Sequence, residues 1–167
     1  MKKQNLLYLG FIIVMLLAAS CSNTETQKKQ PAENKTSTAV FAKGEKITNE
    51  YFTGSAWLQM LVENDSLYNC PIGNVTFEPG ARNNWHVHPG GQILLVTSGK
   101  GYHQLKGQPV ELIESGDIVK VPPGAMHWHG ATPDSELTHL AISTNPQKGI
   151  VVWMEKLSDE EYNRIKL

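Results

Sequence analysis

Cysteine is scarce in this chain of 167 residues, with two in all, Cys21 and Cys70. Net charge is nearly absent. Fifteen Lys and Arg stand against sixteen Asp and Glu, a formal charge of −1, which argues against nucleic acid or a strongly charged surface as a partner. Helical periodicity is almost missing, so a helical bundle is a poor fit. No segment repeats, so one structural unit is expected rather than a duplicated one. The one long apolar run, Leu6 to Ala19, has 14 residues, short of the roughly 20 that span a bilayer. Residues 22–40 contain no aromatic side chain and almost no large apolar one before Val40. Such a stretch cannot bury a core. What remains is long enough for one domain with a real core.

The beginning of the chain reads as an export signal. Lys2 and Lys3 form a positive start, Leu6 to Ala19 the apolar stretch, and Ala18-Ala19-Ser20 place small residues before Cys21. Small residues ahead of a cysteine resemble a bacterial lipoprotein signal, in which the cysteine is acylated and becomes the mature N-terminus. The usual leucine three places before the cysteine is Ala18 here, with Leu17 one place further out. Residues 1–20 are thus expected to be removed, which takes away Lys2 and Lys3 but no acid and leaves a charge of −3. Residues 21–40 then form a flexible tether, and residues 41–167 the folded domain. The expected location is outside the cytoplasm, anchored to a membrane through Cys21. With Cys21 lipidated no internal disulfide can form. Cys70, beside Pro71, is expected to be part-buried and inert, because nothing near it in sequence activates a thiol.

From Phe41 onward the chain is a series of short strand signals broken by turns. Trp57–Val62, Gly73–Phe77, Gln92–Thr97, Tyr102–Leu105, Val110–Ile113, Ile118–Val121, Met126–Gly130, Leu137–Ser143 and Val151–Met154 all read as strands. Gly99-Lys100-Gly101 reads as a tight turn. Many short strands at this spacing indicate an all-β sandwich or barrel. The one helix signal is at the end, where Ser158-Asp159-Glu160-Glu161 has the form of a capping box ahead of Tyr162 to Leu167.

All six histidines lie between His86 and His139. Three stand in two glycine-framed patterns. The first is Gly80, five residues, His86-Val87-His88, three residues, Gln92, six residues, Gly99. The second is Gly116, five residues, Pro122-Pro123-Gly124-Ala125-Met126-His127. On a strand His86 and His88 share a face, because side chains alternate with period two. Gln92, past the Pro89-Gly90-Gly91 corner, can return to that face, and His127 adds a ligand from a distant strand. Three imidazoles and an amide oxygen suit Mn, Fe, Ni, Cu or Zn better than Ca or Mg. His129, two residues after His127, is either a group near the metal or a hydrogen-bonded structural histidine; the residues leave both open. Alternation places His139, Ala141 and Ser143 on one face of their strand and Leu140 and Ile142 on the other. Facing the lumen, His139 would be a free imidazole suited to proton transfer; otherwise it is a core histidine. His103 reads as a surface or rim histidine. Trp85 and Trp128 point away from the metal face, toward core or subunit packing. Arg82, Asn83 and Asn84 fall on a loop or strand edge, either solvated, which is the default, or in contact with a polar substrate. Gly73, Val75, Ser143 and Met60 are expected to line the lumen, which suits a compact, largely apolar ligand rather than a sugar or nucleotide.

The two patterns resemble those of the cupin family over roughly residues 47 to 157. That resemblance implies a double-stranded β-helix, or jelly-roll barrel, with the short helix at its C-terminal end. The family pattern usually carries glutamate where this chain has Gln92, and asparagine near Ala131. The amide removes one negative charge from around the ion and leaves it more Lewis-acidic. Val75-Thr76-Phe77-Glu78-Pro79-Gly80-Ala81-Arg82, His127-Trp128-His129-Gly130-Ala131, Thr138-His139-Leu140-Ala141-Ile142 and Trp153-Met154-Glu155 further resemble small bacterial cupins that include manganese-dependent hydroxynitrile lyases. Those proteins also have glutamine at the position of Gln92, and a catalytic histidine at that of His139. The resemblance implies manganese as the metal, with iron, nickel and zinc as alternatives.

Three functions follow as expectations. The first is a metal-dependent lyase on small carbonyl adducts such as cyanohydrins, with His139 or His129 moving the proton. The second is a metal-dependent oxygenase. The third is a non-catalytic module that binds a small ligand or a metal. A homodimer or homotetramer is expected, because small cupins usually pair through their strands and sheet edges need covering.

Overall fold

The computed structural model describes residues 40–167. The expected signal at 1–20, including its boundary at Cys21, and nearly all of the tether at 21–40 lie outside these residues. Twelve strands follow in chain order: β1 Glu45–Lys46, β2 Phe52–Thr53, β3 Ala56–Val62, β4 Ile72–Phe77, β5 Arg82–Asn83, β6 His86–Val87, β7 Gln92–Leu105, β8 Glu111–Glu114, β9 Ile118–Val121, β10 Met126–Ala131, β11 Leu137–Ser143 and β12 Val152–Trp153. A 3-10 turn at Pro146–Lys148 and one helix, α1 at Asp159–Asn163, complete the described elements.

Every strand pair is antiparallel. One side of the barrel runs β1-β3-β4-β11-β7-β9, and the other joins β7 to β8 and β10, with β10 continuing to β5 and β2 and to β6 and β12. The strand pattern indicates an all-β sandwich or barrel, and this is the jelly-roll barrel that the family resemblance implies. Its interior is apolar at one end, where Phe77, Leu94, Ala131 and Leu137 are fully buried among Val75, Val96, Val119 and Val121.

The two halves are joined by β7, and here the expectation of a turn fails. Gly99-Lys100-Gly101 is not a hairpin but the bend of one 14-residue strand. Up to Gly99 the strand pairs with β11 and β9; beyond it, with β10 and β8. Gly99 has φ +76°, and a Cβ there would stand 1.7 Å from the Glu136 carbonyl oxygen. Only glycine admits both the conformation and the contact.

A second apolar layer lies outside the β7–β10 surface. Trp85, Tyr102, Trp128, Leu157 and Tyr162 are buried together there. The capping box at Ser158 and Glu161 is present in full, and it starts a helix that ends at Asn163, short of the expected Leu167. The helix sets Tyr162 so that its hydroxyl donates to the Ala131 carbonyl at 2.7 Å, and the Arg82 guanidinium lies over its ring at 4.4 Å. Arg82 also pairs with Asp159. Residues 82–84 are therefore not a solvated loop: Arg82, Asn83 and Asn84 are all buried. Asn83 finds its partners on His129 and Asn84 bonds the Glu50 carbonyl, which a linear sequence does not display. Cys70 is half-buried, as expected of it.

Candidate metal centre

The barrel brings the two histidine patterns together through β10. His127 is the direct cross-strand partner of His86 on β6, and their ring centroids are 4.1 Å apart. His88 follows at the corner beyond β6, its ring 5.1 Å from that of His86 and 5.5 Å from that of His127. The corner is pinned by the Gly90 carbonyl, which accepts from the Thr144 hydroxyl at 2.7 Å and the Asn145 amide at 3.0 Å. Gln92 opens β7 and presents its amide oxygen 3.0 Å from His127 Nε2.

Hydrogen bonds assign the ring protons. His86 Nδ1 lies 2.9 Å from the Asn84 carbonyl, and His88 Nδ1 bonds the Ile150 carbonyl. A carbonyl only accepts, so both rings carry the proton on Nδ1 and offer a lone pair on Nε2. His88 Nε2 is buried with no partner. Neutral imidazoles held by carbonyls behind them are how metal ligands are oriented.

His129 lies on the same face of β10, and nitrogens of His86, His127 and His129 come within 4.8 Å of one another. This proximity makes His129 a competitor to His88 for the metal. Asn83 sets the two apart. Its Oδ1 accepts from the His129 backbone N–H at 2.9 Å, so its Nδ2 is the atom facing His129 Nε2 at 2.9 Å. The His129 lone pair is thereby occupied, whereas that of His88 is free. Asn83 is the residue that the sequence reading missed, and no local pattern marks it.

Burial holds every one of these rings neutral. It pushes His86 down to about 3, lowers His88, and drives His127 and His129 well below the ordinary imidazole value, with the neighbouring imidazoles adding to the effect at His86, His127 and His129. A metal needs deprotonated nitrogen, and these rings supply it without first losing a proton. An orphaned lone pair, two carbonyl-backed imidazoles and a convergent amide oxygen fit a divalent transition metal.

The site forms one wall of a cavity of about 190 Å³, smaller than the roughly 300–1,000 Å³ of most ligand pockets. His86, His88, Gln92 and His129 line it with Phe52, Leu58, Phe77, Val151 and Trp153, together with the expected Met60, Gly73, Val75 and Ser143, while His127 is fully buried and does not line it. Trp153 is fixed by stacking on Tyr51 at 4.8 Å and reaches within 4.9 Å of the His86 ring.

His139 shares its strand face with Ala141 and Ser143, but it does not reach the cavity wall. It is fully buried behind the wall, stacked on Phe77 at 5.8 Å and edge-on to His129 at 4.8 Å, and neither ring nitrogen has a partner. Burial pushes its pKa down to about 3. His103 is not a rim histidine: it is 2% exposed and its ring lies 5.7 Å from that of His127. Its strand continues through Gly99 into the barrel, and the misread turn concealed this. Trp85 and Trp128 do point away from the site, into the outer apolar layer.

Comparison with known proteins agrees with this architecture. The cupin domain family matches residues 73–143. An (R)-mandelonitrile lyase of Granulicella tundricola is 45% identical over 115 residues, 69% of this chain and 88% of that protein. The crystal structure of a cupin-like protein of Thermotoga maritima is 46% identical, covers 75% of this chain and 95% of its own, and superposes with a TM-score of 0.73. A predicted oxalate decarboxylase of the same organism, at 21% identity and a TM-score of 0.54 over 66% of this chain and 91% of its own, shares the fold alone. Through its barrel, its paired histidine patterns and these relatives, the chain belongs to the cupin family.

Proposed function

We propose that this protein is a metal-dependent lyase that cleaves small cyanohydrin-type adducts to a carbonyl compound and hydrogen cyanide. The observation that carries it is a cluster of neutral imidazoles and one amide oxygen at a small, mostly apolar cavity, with His86, His88 and Gln92 on its wall and His127 directly behind them. His86, His88, Gln92 and His127 are the proposed ligands, and manganese the proposed metal. When bound, the ion supplies Lewis-acid polarisation of the substrate oxygen.

The chain's own residues supply the rest. Phe77, Val75 and Trp153 hold an apolar substituent and keep water out. The substrate hydroxyl loses its proton, the carbon–carbon bond breaks, and its electron pair leaves with cyanide, which takes up a proton. We assign that proton transfer to His139, whose ring packs edge-on against the cavity-lining His129. The relationship to an (R)-mandelonitrile lyase supports the reaction class.

The test is elemental analysis of the purified protein, joined to an assay of mandelonitrile cleavage. One metal per chain is expected, lost in His127→Ala, together with measurable release of aldehyde. Full metal in that variant would overturn the ligand assignment. A fully loaded protein that cleaves no cyanohydrin would overturn the lyase reading.

A further inference from the structure

Of the three imidazoles assigned to the metal, two make a full hydrogen bond to a carbonyl behind them, and the third does not. Once His127 Nε2 turns to a metal, its ring proton must sit on Nδ1, and that atom is buried with no hydrogen-bond partner. The Ala125 carbonyl acts on the His127 ring, but the contact falls short of full hydrogen-bond geometry, so Nδ1 is backed weakly at best.

A second unpartnered imidazole stands beside it. His103 Nδ1 faces Glu111 Oε2 at 3.4 Å, and His103 Nε2 is buried without a partner. A carboxylate only accepts, so Glu111 holds the His103 proton on Nδ1 and leaves a lone pair on Nε2. A buried N–H without an acceptor and a buried lone pair without a donor therefore occupy neighbouring rings, 5.7 Å between centroids. Native interiors rarely leave such atoms unmatched. A single water between them would satisfy both, accepting from His127 Nδ1–H and donating to His103 Nε2. Solvent stands on the His103 side of the pair. His103 and Glu111 line a cleft of about 490 Å³, away from the substrate cavity, and the Glu111 side chain is 66% exposed.

We propose that Glu111 and His103 form a positioning dyad for His127, acting through a single bridging water. The proposal rests on the assignment of His127 as a metal ligand. The line runs from the Glu111 carboxylate through His103, water and His127 to the metal, and each hydrogen bond in it has one donor and one acceptor. It fixes the His127 tautomer and makes Nε2 a better donor to the ion. His103 lies outside both histidine patterns.

The experiment measures the Mn²⁺ dissociation constant of the full chain by competition with a fluorescent chelator, alongside the Mn²⁺ paramagnetic resonance spectrum. His103→Phe should weaken binding roughly 10–100-fold, the range for partners behind a ligand, and alter the spectrum. Its metal-free melting temperature should be no lower than the parent's. His103→Gln, whose amide oxygen can accept from the same water, should recover most of the affinity. Glu111→Leu should weaken binding by part of the same factor, and should add nothing in the His103→Phe background. Unchanged affinity in His103→Phe would make His103 a core filler and leave Ala125 as sufficient backing. A Glu111→Leu effect that persists undiminished in the double variant would reduce Glu111 to a remote charge and overturn the dyad. If His103→Phe does not fold, Glu111→Leu at its exposed position decides alone, and unchanged affinity there overturns the proposal. Absence of Mn²⁺ binding in the parent would instead remove the metal assignment and the dyad with it.

Discussion

His139 is a fully buried imidazole with no partner on either nitrogen. Such a group destabilises a fold unless something outside the polypeptide meets it, which is the physical reason to connect it with chemistry at the adjacent cavity. His139→Ala is expected to keep its metal and to lose lyase turnover by roughly 10²–10⁴-fold, the range for a general acid or base. Turnover retained with metal bound would move the role to His129; loss of metal would place His139 among the ligands and demote Gln92. The same ring makes the metal-free protein acid-sensitive. Its pKa is about 3 in the fold against an ordinary value of 6.5, so between those limits the unfolded chain holds a proton that the folded chain lacks. Stability is full above about pH 6.5 and falls as pH drops toward 3, by about 1.4 kcal/mol per pH unit for one such histidine. Urea unfolding of the metal-free protein at about pH 7 and about pH 5 should show a loss smaller by about 2 kcal/mol in His139→Phe than in the parent. Equal losses would show that His139 does not titrate in this way.

At the scale of elements, the bend in β7 is the feature on which the site depends. It carries Gln92 at one end into contact with His127 and His103 at the other to the same ring. Gly99→Ala would force a Cβ onto the Glu136 carbonyl at a positive φ. A stability loss of about 3 kcal/mol or more is expected by denaturant unfolding, with metal affinity falling as well. A loss below about 0.5 kcal/mol would mean that the strand can bend elsewhere. Most strands were legible from their alternation and turn residues, and the helix from its capping box. The bend was not, because a Gly-Lys-Gly triplet looks the same in a hairpin and in a strand that changes partners. Only the positions of β8, β9, β10 and β11 distinguish the two.

For the whole molecule, the tether and the assembly remain proposals drawn from sequence. Mass spectrometry of the native N-terminus is expected to find an acylated Cys21, and a mature chain beginning elsewhere would refute the anchor. Light scattering at micromolar concentration is expected to give a dimer or larger species. The exposed Leu112 on β8 and Ile118 on β9 lie on strands with one unpaired side among the described residues, the kind of edge that assembly covers.

By itself the sequence determined the strand alternation, the shared face of His86 and His88, and the small residues Gly73, Val75 and Ser143 of the cavity wall. These follow from spacing along one strand, and spacing is a local property. Tertiary structure decided that Asn83 occupies the His129 lone pair, that His103 lies inside the barrel and that His139 stands one layer behind the cavity. Each of these depends on which strand lies opposite. That is set by closure of the barrel over tens of residues, and no short stretch of sequence encodes it.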